Sequence, residues 1–275
     1  MKKKQISPVI QPVLEAFQQV YYQTLNFAKN PTSAINGLLV MGDAGTGKSH
    51  TVKQALRDAG VQQNVEYIKG GTVTAAAAYV KLALNGASHR IVVFDDIDIF
   101  QSEIRTKIIP MLLGALEEGH SRKITWNTAR KNALMEHYNL DFVEPFDGKV
   151  ILITNYTKVH LEEKLKAYTE AFSSRFNDVE CIFTREQKYM YTKHLIEQKA
   201  MLSKNCSVHS YSNKGKTIKG YPQSVIGDAV DFIDDNYQNF KQDITPRVAV
   251  KITDTFMYYS GQEQDVMLKG LVNSA

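Results

Sequence analysis

The stretch MGDAGTGKSH, from Met41 to His50, is the part of the chain whose residue types and spacing most plainly do chemistry. Gly42, Gly47, Lys48 and Ser49 satisfy G-x-x-x-x-G-K-[ST] at every defined position. Glycines let backbone N–H groups curl around phosphate oxygens with no Cβ in the way. Lys48 can reach β- and γ-phosphates, and the Ser49 hydroxyl can ligate Mg²⁺. The residues Gly42, Asp43, Ala44, Gly45, Thr46, Gly47, Lys48, Ser49 and His50 are therefore expected to cradle a nucleoside triphosphate.

Such a loop needs acidic partners, and RIVVFDDIDIF (90–100) supplies them. Asp95 is expected to hold Mg²⁺, and Asp96 to act as the base or water-orienting group. Asp98 either supports the site from behind or faces solvent. The elements around these residues suit the task. GLLVM before the loop reads as a buried strand, SHTVKQALRDAG after it as a helix ending near Gly60, and Ile91–Phe94 as a second buried strand. Strand, loop and helix in that order add the positive end of a helix dipole to the phosphate site. Carboxylates at the carboxyl end of a parallel strand stand where ligands bind in open α/β sheets.

With these motifs in place, the chain resembles the AAA+ ATPases over nearly its whole length. KVILITNY (149–156) is similar to the sensor 1 strand, which implies Asn155 beside the γ-phosphate and the attacking water. AFSSRFND (171–178) resembles the arginine-finger box, with Arg175 as the finger. DITPRVAVKI (243–252) resembles the sensor 2 helix, with Arg247 turned onto the nucleotide. The resemblance implies an ATP hydrolase using ATP and Mg²⁺, with Asp96, Asn155, Arg175 and Arg247 catalytic and Ser49 and Asp95 at the metal. It implies a homo-oligomeric ring, a hexamer, with Arg175 acting in trans. Its fold would be a P-loop αβα sandwich with a parallel sheet (1–183), followed by a small all-helical lid (184–275) carrying a polar basic loop near 203–220. One departure is Asp95-Asp96, where most members have Asp-Glu; bacterial replication initiators and some relatives share the pair. Phage-encoded members have a similar FDGKVILITN approach to sensor 1, which implies a viral source and the host cytoplasm.

The rest of the chain bounds these expectations. With 275 residues, 43% hydrophobic and 23% charged, it reads as an ordinary globular protein able to bury a sizeable core. Two cysteines without framework spacing point to a reducing compartment. The basic MKKKQISPVI lacks the apolar run of a signal peptide, and no segment is apolar enough to span a bilayer, so no membrane partner is expected. The histidines form no metal-ligand pair, and no serine or cysteine nucleophile signature is present.

Substrate contacts are less defined. Lys69, Gly70, Gly71 and Tyr79 are the nearest pore-facing candidates by resemblance, although Tyr79 at its helical position reads better as core, and no aromatic-apolar-glycine tripeptide is present. SRKITWNTARKN (121–132) has four basic residues, Arg122, Lys123, Arg130 and Lys131, and no acidic one. Residues 201–220 carry Lys204, Lys214, Lys216 and Lys219. They form either a solvated loop or a phosphate-contacting arm. The macromolecule moved is then nucleic acid, as in a loader or initiator, or protein, as in a remodeller; a nucleotide-switched scaffold with little turnover is the third reading.

Overall fold

In the computed structural model, residues 7–30, 35–70, 73–100, 102–119, 122–199, 201–203, 210–213 and 216–274 are described. Gly71, Lys204 and Lys214 lie outside them. The chain runs through α1 (Gln11–Lys29), β1 (Gly37–Gly42), α2 (Lys48–Asp58), β2 (Val65–Lys69), α3 (Ala75–Leu84), β3 (Ile91–Asp95) and α4 (Ser102–Ala115). There follow β4 (Lys123–Thr125), α5 (Ala133–His137), β5 (Val143–Pro145), β6 (Lys149–Ile153), α6 (Lys158–Leu165), α7 (Thr169–Ser173) and β7 (Phe176–Cys181). The C-terminal part holds α8 (Arg185–Lys199), β8 (Ser210–Asn213), β9 (Lys216–Lys219), α9 (Gln223–Asn236), α10 (Pro246–Tyr258) and α11 (Gly261–Asn273).

Five strands form one sheet in the order β2-β3-β6-β1-β7, and every pairing in it is parallel. The three central strands β3, β6 and β1 are buried at every residue. That is what apolar runs such as GLLVM and IVVF require, since helices cover both faces of a parallel sheet. One face carries Leu39, Met41, Val92, Phe94, Val150 and Leu152, packed with Tyr79, Leu112, Phe146 and Phe172. The strands alternate, so Leu38, Val40, Val93 and Ile151 point the other way. This is the α/β fold of a P-loop αβα core with a helical C-terminal region.

The chain separates into two compact units. One runs from Glu15 to Ile182 without Gly45–Gly47; the other is built on the residues from Phe183 onward, with Gly45–Gly47 and a piece ending at Leu14. In the second, Ile226, Ala229 and Ile233 of α9 and Val248, Ala249 and Ile252 of α10 share a core with Phe240, Ile244 and Leu268. Within it, Lys188 is nearly buried and donates to Asp243 at 2.6 Å. The stretch read as a polar loop contains an antiparallel hairpin, β8–β9, in which Lys216 and Lys219 are strand residues.

The basic stretch before β6 also has structure of its own. β4 and β5 pair antiparallel, with α5 between them. Trp126 is buried against Tyr79, ring centroids 5.7 Å apart, and the Tyr79 hydroxyl donates to the Asp141 carbonyl. Tyr79 is fully buried, so it belongs to the core and has no surface for substrate. Arg122 is corrected more sharply. It is 8% exposed and donates to the carbonyls of Ala115, Asp147 and Gly148, at 3.1, 2.7 and 2.9 Å. Its charge is spent on three backbone carbonyls rather than presented at the surface.

A candidate nucleotide site at the carboxyl edge of the sheet

Parallel strands send all their carboxyl ends to one edge, and β3, β6 and β1 are neighbours there. The segments after β1, β3 and β6 therefore meet, although they lie far apart in sequence. The loop after β1 turns through left-handed glycines, with φ of 127° at Gly42, 74° at Gly45 and 115° at Gly47. A Cβ on Gly42 would stand 2.1 Å from the Cys181 carbonyl oxygen, so only glycine fits. The turn is anchored on both sides: Gly42 N–H donates to the Tyr156 carbonyl at 3.2 Å, and Asp43 N–H to that of Cys181 at 3.1 Å. Cys181 beneath the loop is buried, and burial pushes its thiol up to about 12, which leaves it protonated and inert.

Lys48 opens α2 and is 4% exposed. Its ammonium donates to the carbonyls of Gly42 and Asp43 at 2.8 and 2.7 Å, and to Asn155 Oδ1 at 3.1 Å. Asn155, two residues past β6, in turn donates from Nδ2 to Asp96 Oδ1 at 2.7 Å. Asp96 is an exposed non-glycine residue with a left-handed φ of 59°. Aspartate tolerates that region better than most residues, and strain of this kind collects at functional sites. The backbone bend turns Asp96 away from the buried path of β3 while its N–H stays on the Ile153 carbonyl at 3.3 Å.

Asp95 remains in the strand, 5% exposed. The Ser49 hydroxyl donates to its Oδ1, and Lys53 Nζ lies 3.5 Å from its Oδ2. Lys53 was not legible as a site residue, although it stands one turn beyond Ser49 on the same helix face. Lys69, a candidate for pore contact by resemblance, ends β2 and stands in register with Asp95. Both ammonium groups lie over the ring of Tyr67, at 5.8 and 5.1 Å from its centroid. Burial, then the Asp95 charge, pushes the Tyr67 hydroxyl up to about 12. Lys53 beside it, and then burial, lowers the Lys69 ammonium. Burial first, then the charges of Arg57 and Lys53, lowers the His50 imidazole, so His50 is less readily a cation than an ordinary histidine.

Asp98 faces inward. It accepts the Tyr156 hydroxyl at 2.8 Å and the Phe100 N–H at 3.1 Å. Burial and this carboxylate raise the Tyr156 hydroxyl to about 12. Asp98 thus holds the residue whose carbonyl holds Gly42.

Arg175 does not join this group. It sits between α7 and β7, half-buried, with Nη1 donating to the Ala171 carbonyl at 2.9 Å and a buried Nε that has no partner among the described residues. Arg247 is the second residue of α10, just after the capping Thr245, in the C-terminal unit.

The oxygen donors Ser49 and Asp95 suit a hard divalent cation that brings phosphate oxygens with it. Among the described residues no cluster of three or more His, Cys, Asp or Glu side chains could hold a metal alone. The left-handed glycines and the helix start at Lys48 suit a polyphosphate. Among the described residues, no helix is long and apolar enough to cross a membrane.

No family model matches the chain. It is 28% identical over 145 residues to an uncharacterized 36.7 kDa protein of the nrdC-mobD intergenic region of Enterobacteria phage T4, a match over 51% of this chain. It spans 43% of that relative's length. Among solved structures, domain III of the Thermotoga maritima replication initiation protein DnaA aligns over 98% of this chain and all of its own, with a TM-score of 0.45 and 15% identity. Thermotoga maritima RuvB aligns over 95% of this chain and 70% of its own, with a TM-score of 0.46 and 13% identity. The Aeropyrum pernix ORC2 protein aligns over 100% and 71%, with a TM-score of 0.48 and 11% identity. The chain thus gathers a glycine loop after β1, two carboxylates ending β3 and an asparagine after β6 on one edge of a parallel sheet.

Proposed function

We propose that this protein hydrolyses Mg-ATP and couples the reaction to movement of a macromolecule. One observation carries the reading: Lys48, Asn155 and Asp96 form a continuous hydrogen-bonded chain beside the Ser49–Asp95 pair. The loop N–H groups and the start of α2 would bind the phosphates, with Lys48 Nζ exchanging the Gly42 and Asp43 carbonyls for phosphate oxygens. Ser49 Oγ and the Asp95 carboxylate would hold Mg²⁺. Bound Mg-ATP supplies a polarised γ-phosphoryl group and a leaving group whose charge is already neutralised. Asp96 would accept the proton of the attacking water on a carboxylate oxygen, and Asn155 Nδ2 would keep that carboxylate aimed. Arg247 would add charge in cis and Arg175 in trans from a neighbouring copy in a ring.

Nucleic acid is the substrate the chain favours. The reading rests on the Asp95-Asp96 pair that replication initiators share and on the exposed Lys123 and Arg130. A protein substrate is the second reading, and the removal of Arg122 from the basic surface favours it. The decisive experiment is the steady-state ATPase rate against protein concentration, with and without single-stranded DNA. Specific activity that rises with concentration and rises further several-fold with DNA supports the nucleic-acid motor. A rise with concentration that ignores DNA moves the protein remodeller ahead. Tight ATP binding with no turnover at any concentration leaves the nucleotide switch.

A further inference from the structure

Both oxygens of the Asp95 carboxylate face a polar partner. Ser49 Oγ takes Oδ1, and the Lys53 ammonium stands 3.5 Å from Oδ2. A second ammonium, Lys69, lies on the adjacent strand in register with Asp95. Both amines lie over the Tyr67 ring, at 5.8 and 5.1 Å from its centroid. One buried carboxylate therefore has the Lys53 ammonium beside it and Lys69 on the neighbouring strand before any metal arrives, and the neutral Tyr67 hydroxyl offsets neither. A divalent cation entering alone would add two positive charges to this group, in a pocket where Asp95 is 7% exposed at its side chain and water screens poorly. The same cation entering with a triphosphate brings a net negative charge, which the two lysines favour.

We infer that Lys53 is a positioning residue that occupies the Asp95 carboxylate in place of the metal, so that the site accepts Mg²⁺ only together with nucleotide. The inference rests on the hydrolase reading above and deepens it. Lys53 keeps Asp95 in its strand-end orientation when the site is empty and yields Oδ2 when the Mg-triphosphate arrives. Its side chain is 31% exposed, so it can swing toward water without unpacking α2.

The test uses the full chain with Mn²⁺ as the metal probe, read by electron paramagnetic resonance with no nucleotide present. A parallel titration uses a fluorescent ATP analogue with Mg²⁺. Lys53→Met should bind Mn²⁺ alone about tenfold more tightly than the native protein, from loss of one nearby unit charge. Lys53→Arg should restore the native weakness, and Asp95→Ala in the Lys53→Met background should abolish the gain. Equal Mn²⁺ affinity in the native and Lys53→Met proteins, including no binding by either, overturns the inference while leaving intact Mg-nucleotide binding to support the hydrolase. A native protein that takes up no Mg-nucleotide overturns the hydrolase reading and this inference with it. If Lys53→Met does not fold, Lys53→Gln gives the same comparison.

Discussion

Asn155 Nδ2 donates to Asp96 Oδ1 at 2.7 Å, and the two residues follow different strands, 59 positions apart. The bond joins the end of β3 to the end of β6 and ties the exposed carboxylate to a residue that also accepts from Lys48. Asp96→Asn keeps a side chain that tolerates the left-handed φ, so the fold should survive. ATP turnover should fall about 10²–10⁴-fold with nucleotide affinity nearly unchanged. Phosphate release and equilibrium nucleotide titration on one preparation check both halves; a variant with native turnover removes Asp96 from the chemistry.

Gly42→Ala should damage the fold itself. The new methyl group meets the Cys181 carbonyl at 2.1 Å in a backbone conformation that alanine avoids. A loss of about 3 kcal/mol is expected, visible as a melting temperature lower by about 10 °C. Nucleotide binding should be lost as well, because the turn it depends on cannot close.

Arg122→Met separates a structural cation from a nucleic-acid contact. Three backbone carbonyls, two of them buried, lose this donor, which should cost about 3 kcal/mol. The salt dependence of any DNA binding should not change, whereas Lys123→Ala and Arg130→Ala should each reduce its slope by about one. Equilibrium unfolding and DNA titration at several salt concentrations distinguish the two classes.

Lys149 predicts a pH dependence. Its ammonium is buried, 2% exposed, with Nζ on the carbonyls of Phe27 and Asn30 at the end of α1. Burial pushes it down to about 8 from the usual 10.5. The folded value lies below the unfolded one, so the buried charge is a full penalty below pH 8. The penalty is relieved as pH rises from about 8 towards 10.5. The stability of the native protein should therefore gain on that of Lys149→Met over this interval. Denaturant unfolding of both at pH 7, 8, 9 and 10 measures the difference, and a constant difference refutes the assignment.

Arg175→Ala probes assembly. Among the described residues the Arg175 guanidinium is hydrogen-bonded to the Ala171 carbonyl alone, so the variant should lose less than about 1 kcal/mol of stability. If the arginine serves a neighbour, turnover should fall by about 10³ or more. Mixing with an Asp96→Asn protein, which keeps its own Arg175, should restore part of the rate. No restoration at any mixing ratio places Arg175 outside the reaction.

The β1 loop, Asp95 and Asn155 could be read from the chain because each follows an apolar run that only a buried strand explains, and polarity changes abruptly where the strand ends. Parallel pairing then does the gathering. Lys53 and Lys69 could not be read this way. Their relevance depends on helix rotation and on strand register, with Lys69 opposite Asp95 across 26 residues of chain, and local composition carries neither. Arg122 misled for a related reason. A run of basic residues looks solvated, but this one packs its guanidinium among backbone oxygens of Ala115, Asp147 and Gly148 that sequence does not display. The β8–β9 hairpin was equally hidden, since SYSN and KTIK are short and polar and become strands by pairing with each other.

The position of β1 in the sheet has a consequence for synthesis. Its two partners are β6 and β7, both made long after it. A chain emerging at roughly 5–20 residues per second holds the glycine loop without a sheet to close it for on the order of ten seconds. Until Lys149 and then Cys181 have left the ribosome, the proposed nucleotide site is unformed, so a nucleotide could not stabilise the nascent protein by mass action. The ligand can only select among finished sheets, and an error in the last strand is felt at the first loop.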